Sequence, residues 1–270
     1  MLSARREPAE VPKMSPIVLI PARLQASRLP GKPLAEIHGA PMIVWVLRRA
    51  LEAGIGPVVV ACAEPEIAEA VAAAGGEAVL PRPEHPSGSD RIYEALERFD
   101  PQGRHDVVVN LQGDWPTVDP AMLRAVLAPL ENPEVDIATL AAEIADPAER
   151  ENPNVVKAAV AFDAQTRAPA RALYFSRAKV PWEGDGQDRG QDGGLPLYHH
   201  IGIYAYRRPA LARFVALPAS ALERRERLEQ LRALEAGMRI EVALVDTVPF
   251  GIDTPADLER VRALFAARDA

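Results

Sequence analysis

The feature that most constrains this chain is an alternation. Short apolar runs of strand length are separated by stretches with helical spacing. Ile17 to Ile20, Pro57 to Ala63 and the segment from Asp106 to Leu111 read as buried strands. After the first run, Pro41 sits where a first-turn helix proline belongs, and Met42, Val46, Leu47, Ala50 and Leu51 recur at helical spacing until Gly54. After the second, an alanine-rich helix from Glu66 to Ala74 stops at Gly75-Gly76, and a short strand from Glu77 to Leu80 follows. Strand and helix in turn imply an α/β sheet of parallel strands with helices on both faces, a Rossmann-like arrangement.

Size and charge narrow the possibilities. With 270 residues, 48% of them apolar, the chain can bury a substantial core, and residues 16–270 read as one α/β domain. A formal charge of −7 argues against a general nucleic-acid binder but leaves room for an anionic small molecule in a locally basic pocket. Cys62 is the only cysteine, in a strand-like run, so it reads as a small buried thiol and excludes any cysteine-rich metal site. No apolar run approaches the length of a membrane span and the amino terminus lacks a signal-peptide core, so the expected compartment is the cytoplasm. Residues 1–15 are polar and aperiodic, a flexible tail by expectation, and Met14 is a candidate start.

The polar residues with chemical potential cluster where strands end. After Ile20 the apolar run is broken by Pro21 and opens into a basic turn containing Arg23, Ser27, Arg28, Gly31 and Lys32. Such a turn suits a polyphosphate, with lysine as a point charge and arginine forks gripping paired oxygens. It also fits a solvated basic loop, and it is not a P-loop, since Pro33 follows the lysine. The stretch Ser87-Gly88-Ser89-Asp90-Arg91 leads into a helix from Ile92 to Phe99 and suits either phosphate or nucleobase recognition or simple helix capping. The strand ending in Gln112-Gly113-Asp114 places a carboxylate where ligands gather in open α/β sheets, although a lone aspartate there also makes turns. Asp119 and Pro120 mark the next helix start.

The second half has a different character. Strand-like segments run from Asp136 to Ala142, Val155 to Phe162, Leu173 to Phe175 and Leu197 to Tyr206, and the Gly- and Asp-rich stretch from Glu183 to Gly194 reads as a mobile surface loop. His199 and His200 are adjacent in a strand and face opposite sides, which argues against a paired-histidine metal site, with one ring expected in a polar pocket and the other in solvent. A highly charged helix is expected from Ser220 to Arg232, where Glu226 and Gln230, four apart, would share a face. Near the end, Thr254, Pro255 and Asp257 form a strong helix start, which leaves Asp253 available for another role.

If the basic turn, Asp114 and Asp253 share one sheet edge, they form a carboxylate pair suited to magnesium, facing a triphosphate held by Arg23 and Lys32. That is a nucleotidyl-transfer arrangement. Metal and cations would offset charge on a leaving pyrophosphate with little need for a covalent intermediate.

Eight segments, in order along the chain, resemble the 3-deoxy-manno-octulosonate (Kdo) cytidylyltransferase family: Ile20-Pro-Ala-Arg23 through Arg28-Leu-Pro-Gly-Lys-Pro-Leu34, Gly39-Ala-Pro-Met-Ile43, Ser87 to Arg91, Asn110-Leu-Gln-Gly-Asp114, Ala172-Leu-Tyr-Phe-Ser-Arg177, His200-Ile-Gly-Ile-Tyr204, Leu228-Glu-Gln-Leu-Arg232 and Asp253-Thr-Pro-Ala-Asp-Leu258. The resemblance implies a nucleotide-diphospho-sugar transferase fold with a smaller lobe used in a homodimer. It also implies the reaction of CTP with Kdo to CMP-Kdo and pyrophosphate, for lipopolysaccharide assembly. By the same resemblance, Asp114 and Asp253 bind Mg2+ and act with Lys32 in catalysis. Arg23, Ser27, Lys32, Ser87, Gly88, Ser89 and Arg91 lie on the nucleotide, and Gln112, His200, Tyr204, Glu226 and Gln230 on the sugar acid. The chain departs from the family pattern at Trp115, where many members carry an acidic residue, at His199, where a basic residue is common, and in the loop from Glu183 to Gly194. A sister enzyme for another sugar acid, such as sialic acid or an amino-substituted Kdo, and a non-catalytic nucleotide binder are the competing readings.

Overall fold

The computed structural model describes residues 14–25, 29–182 and 196–267. The expectations for Ser27, Arg28, nearly all of the amino-terminal tail and the loop from Glu183 to Gly194 therefore lie outside the described residues. In chain order the elements are β1 (Pro16–Ala22), β2 (Glu36–Ile37), β3 (Ala40–Pro41), α1 (Met42–Ala53), β4 (Val58–Cys62), α2 (Pro65–Ala73), β5 (Glu77–Val79), α3 (Gly88–Phe99), β6 (Val107–Asn110) and α4 (Pro120–Ala125). The second half supplies β7 (Ile137–Glu143), α5 (Pro147–Arg150), β8 (Lys157–Val160), β9 (Ala170–Ser176), β10 (Tyr198–Arg207), α6 (Arg208–Ala216), α7 (Ala221–Glu226), α8 (Leu231–Glu235), β11 (Ile240–Val245) and α9 (Pro255–Ala266).

The alternation has the consequence expected of it. β5, β4, β1 and β6 are parallel neighbours in that order. Successive side chains on a strand point to opposite faces, and here both faces are dry. Val18, Ile20, Val58, Val60, Val107 and Val109 enter one core with residues of α1, α2 and α4, while Ile17, Leu19, Val59, Ala61 and Val108 enter the other with residues of α3 and α6. Cys62 is buried in the first core, as expected, and burial pushes its thiol up to about 11.

Beyond β6 the sheet becomes mixed. β10 runs antiparallel to β6 through Tyr204–Arg207 and to β7 along its length, while β11 is parallel to β7. Because the start of β10 extends past β6, Tyr198 and His199 are free to pair with β8. The five strands β10, β7, β11, β9 and β8 thus pair in a closed ring, which removes the edges that an open sheet would leave.

Three expectations need correction. Pro21 does not end the first strand, because its carbonyl side and its neighbour Ala22 keep parallel register with Ala61 and Cys62. The helix after the Ser/Gly loop begins at Gly88 rather than Ile92, since Ser87 accepts from the Asp90 amide and caps it. The charged segment from Ser220 to Arg232 is two short helices: α7 starts with a Ser220–Glu223 capping box and stops at Arg227, which is left-handed (φ 56). Burying Leu228 and Leu231 in the second core requires that turn, and packing overrides the helical spacing of the charges.

The carboxyl-terminal helix completes the frame. Leu258, Val261 and Phe265 of α9 pack with Ile37, Met42 and Ile252 as a separate apolar cluster. Phe265 meets Trp45 edge-on at 4.6 Å, and Arg262 donates to the Glu36 carbonyl at 2.7 and 2.9 Å. The helix α9 is thereby fastened beside the basic turn.

Candidate active site

A cleft of about 720 Å³ opens at the carboxyl ends of β1 and β6, where α/β sheets hold ligands. Its lining includes Arg23, Lys32, Ser87, Gly88, Arg91, Gln112, Asp114 and Asp253. Residues named from four separate segments of sequence thus meet in one place. β1 and β6 converge here because residue 113 is glycine: a Cβ there would lie 2.7 Å from the Pro21 carbonyl oxygen.

Lys32 is the centre of the charge arrangement. Its Nζ lies 2.7 Å from Asp114 Oδ2 and 3.2 Å from Asp253 Oδ1. The two carboxylates are 139 residues apart in sequence, yet both reach one cation. The reason lies in the backbone: the Ile252 amide donates to the Asp114 carbonyl at 3.1 Å and Thr117 Oγ1 to the Phe250 carbonyl at 3.3 Å, tying the two loops together. Thr254 and Asp257 form the expected capping box, and the Asp253 amide also donates to Asp257 Oδ2 at 3.2 Å. Asp253 is therefore presented at a fixed helix start.

The electrostatics of the cleft are unbalanced in a way that anticipates ligands. Burial pushes the Asp114 carboxyl up, Lys32 pulls it back, and Asp253 raises it further. Asp114 Oδ1 is buried with no hydrogen-bond partner among the described residues. Arg91 is only 2% exposed, and its Nη1 likewise lacks a partner among them. Burial, and then the charge of Arg23, lower the Arg91 guanidinium below its ordinary value. Two guanidiniums held close in a polar cleft are relieved by an anion, and α3 points its amino terminus at Ser87 and Gly88 into the same space. Ser87 caps α3 and also lines the cleft.

Ser89, His200, Tyr204, Glu226 and Gln230 are not among the residues lining that cleft. Ser89 is buried and donates to Glu229 Oε2 at 2.8 Å. His200 is buried with Nε2 3.0 Å from Thr139 Oγ1 and its ring against Phe175 and Tyr204; burial, with His199 beside it, pulls its imidazole down to about 3. His199 is not solvated as expected: its side chain is 18% exposed, and burial followed by the Lys157 charge pulls it down to about 4. Burial and then Glu229 raise the Tyr204 phenol well above its ordinary value.

Glu226 does not share a face with Gln230, because α7 ends at Glu226. Its carboxylate accepts from Ser176 Oγ at 2.8 Å and from the Arg177 amide at 2.9 Å, holding the end of β9. Glu229 is the acidic residue that spacing missed. Its Oε1, and Nε2 of the neighbouring buried Gln230, have no hydrogen-bond partner among the described residues. The signal was present in Leu228-Glu-Gln-Leu-Arg232, but a continuous helix hid which carboxylate turns inward. Gln112 connects the two regions, lining the cleft while its Nε2 donates to the Gly202 carbonyl at 3.3 Å.

Asp114 and Asp253 offer hard oxygen donors to a divalent cation. Among the described residues no group of three or more His, Cys, Asp or Glu side chains could hold a metal. A magnesium ion fits such a pair, since it is commonly held by one or two carboxylates and completes its shell with water and substrate phosphates.

Comparison with known proteins agrees with the geometry. The family model for cytidylyltransferases matches residues 17–240. The 3-deoxy-manno-octulosonate cytidylyltransferase of Rhodospirillum centenum is 66% identical over 94% of this chain and 95% of its own length. The chain belongs to the 3-deoxy-manno-octulosonate cytidylyltransferase family. The relative of that name from Paramagnetospirillum magneticum is 61% identical over 94% of this chain and 99% of its own. A solved structure of CMP:2-keto-3-deoxy-manno-octonic acid synthetase in complex with CTP superposes with a TM-score of 0.83 at 40% identity, covering 94% of this chain and 99% of that one. The family fold is thus present across nearly the whole chain, and the cleft residues lie within the matched region except Asp253, which follows it.

Proposed function

We propose that this protein transfers CMP from CTP to the anomeric hydroxyl of Kdo, releasing pyrophosphate and supplying CMP-Kdo for lipopolysaccharide assembly. The observation that carries the proposal is the convergence of Asp114 and Asp253 on one cation position, inside a cleft walled by Arg23, Lys32 and Arg91. It stands in a chain 66% identical to a relative bearing that name.

In this reading the triphosphate lies along the basic side of the cleft. Arg23, Lys32 and Arg91 offset the charge that grows on the leaving pyrophosphate, and the Ser87–Gly88 end of α3 faces the nucleotide. Asp114 and Asp253 would hold magnesium, which supplies charge neutralisation at the α-phosphate and lowers the pKa of the attacking hydroxyl. Gln112 orients the sugar acid from the cleft wall and is itself held by the Gly202 carbonyl, while Thr139 Oγ1, beside buried His200, lies within hydrogen-bond distance of the Ile201 and Ile203 carbonyls on either side. The hydroxyl oxygen forms the new bond to the α-phosphorus, the bond to the β-phosphate oxygen breaks, and the proton passes to water. No described helix is long and apolar enough to cross a membrane. We assign the protein to the cytoplasm as a homodimer, with CTP and Kdo as its partners.

Pyrophosphate release with CTP, magnesium and Kdo, beside sialic acid and 8-amino-Kdo, tests the proposal. Turnover with Kdo should fall about a hundredfold or more in Asp114→Asn, as expected for loss of an electrostatic stabiliser. Full activity of that variant would sink the metal assignment, and preference for another sugar acid would move the substrate.

A further inference from the structure

Trp115 follows Asp114, the proposed metal ligand, at a position where many family members carry an acidic residue, and its surroundings give it a mechanical role. The indole lies against two glycines. A Cβ built on Gly251 would stand 2.8 Å from Trp115 Nε1 and 3.1 Å from Cδ1, and one on Gly202 would stand 4.0 Å from Cη2. The first distance is shorter than any side chain tolerates. Gly251 lies two residues before Asp253, and Gly202 lies in the irregular stretch of β10 between Ile201 and Tyr204. The indole therefore fills the space between the sheet and the loop that carries the second carboxylate.

The hydrogen bonds around it show why this matters. The loop of residues 250–253 is joined to the Asp114 loop by Ile252 N to Asp114 O at 3.1 Å and by Thr117 Oγ1 to Phe250 O at 3.3 Å. Ile252 is fully buried in the α9 cluster, so the loop is fixed on its outer side by packing. Trp115 supplies the inner stop. A rigid ring standing where a Gly251 side chain would go limits how closely residues 250–253 approach β6, and with them the Asp253 carboxylate. We infer that Trp115 is a positioning residue, paired with Gly251, that sets the separation of Asp114 and Asp253 and so the affinity of that pair for a divalent cation. The inference rests on the proposed reading of the two aspartates as metal ligands.

Manganese binding in the presence of CTP, read from the loss of the free-ion EPR signal, tests this in wild type, Gly251→Ala, Trp115→Leu, the double variant and Asp114→Asn, with circular dichroism and urea unfolding on each. Gly251→Ala drives a methyl into the indole and should weaken manganese binding about tenfold, raising the magnesium concentration for half-maximal rate more than it raises KM for CTP. Trp115→Leu should weaken it about fivefold in a folded protein. The double variant should recover to within about threefold of wild type, because the smaller side chain makes room for the methyl. Binding lost in Asp114→Asn but unaffected by Gly251→Ala and Trp115→Leu would overturn the positioning role alone, as would a double variant no better than Gly251→Ala. Binding unchanged in Asp114→Asn would overturn the metal reading itself, and this inference with it.

Discussion

Replacing Lys32 by methionine should move two measurements in opposite directions. In the protein without nucleotide, Lys32 sits between the carboxylates proposed to bind metal, so a free cation must displace its ammonium group. The contact with Asp114, 2.7 Å long between side chains 14% and 29% exposed, is a charge-assisted hydrogen bond of about 1.5–2 kcal/mol. The contact with Asp253, 3.2 Å long to a side chain 52% exposed, is screened by water and adds less than about 1 kcal/mol. Methionine keeps the length of the side chain and removes about 2 kcal/mol of competition, which corresponds to roughly 30-fold tighter binding of free Mn2+ at pH 8. Thermal unfolding should follow, because two neighbouring carboxylates without their cation destabilise the fold until metal is added. Turnover should fall steeply at the same time, since the proposed triphosphate contact is gone. EPR titration without CTP gives the first quantity and pyrophosphate release the second. If Lys32→Met bound free Mn2+ no more tightly than wild type, Lys32 would not compete for the carboxylates, and the view that it passes from them to the triphosphate would be wrong.

Lys157 is fully buried and donates to the carbonyls of Asn152, Val155 and Arg177 at 2.9, 2.6 and 2.9 Å. Lys157→Met leaves three acceptors unsatisfied at a cost of about 1–3 kcal/mol each, partly offset because the ammonium no longer needs desolvating; a net loss of about 3 kcal/mol should appear in urea unfolding. His200 is held near pKa 3 by burial, below the unfolded value of about 6.5, so the unfolded chain takes up the proton first as pH falls. Its contribution to stability is complete above about pH 6.5 and is lost as pH falls toward the folded value, about 2 kcal/mol of it by pH 5. His200→Gln should flatten the difference between unfolding curves at pH 7.5 and pH 5, while His199, lowered to about 4, keeps a second share of the slope. Thr254→Ala removes the α9 cap and should cost about 1 kcal/mol in the same assay.

The inner strands of the parallel half, β1, β4 and β6, were legible because they are buried on both faces and so appear as apolar runs. Asp114 and Asp253 were legible for a related reason, standing where such runs or a strong helix start leave a carboxylate without a local task. The ring of strands was not legible. β8 and β9 carry polar and apolar residues in mixed order, and the pairing of Tyr198 and His199 with β8 depends on β10 outrunning β6, which no local pattern records. Glu226 and Glu229 were confused because helical spacing assumes a helix. The left-handed Arg227 breaks it to bury Leu228 and Leu231, and a rotation of a few residues exchanges which carboxylate anchors β9 and which meets Ser89.

These features share a cause that bears on how the site is held. Two carboxylates and two guanidiniums converging in one cleft repel within each kind, and Lys32 offsets this only between the carboxylates, so the charges alone do not hold the site together. Packing some distance away does. The six apolar residues joining β2, α1 and α9 are buried, and at about 1.5–3 kcal/mol each they supply on the order of 10 kcal/mol before entropy is counted, more than the repulsion between two partly solvated carboxylates. The backbone hydrogen bond from Ile252 to the Asp114 carbonyl passes that constraint into the site, since Ile252 belongs both to the cluster and to the loop bearing Asp253. It follows that substitutions on the apolar face of α9, such as Phe265 against Trp45, act on the carboxylate pair without touching it. Such an arrangement explains how Asp253, half exposed at the mouth of the cleft, is nevertheless kept in register with an aspartate near the centre of the sheet.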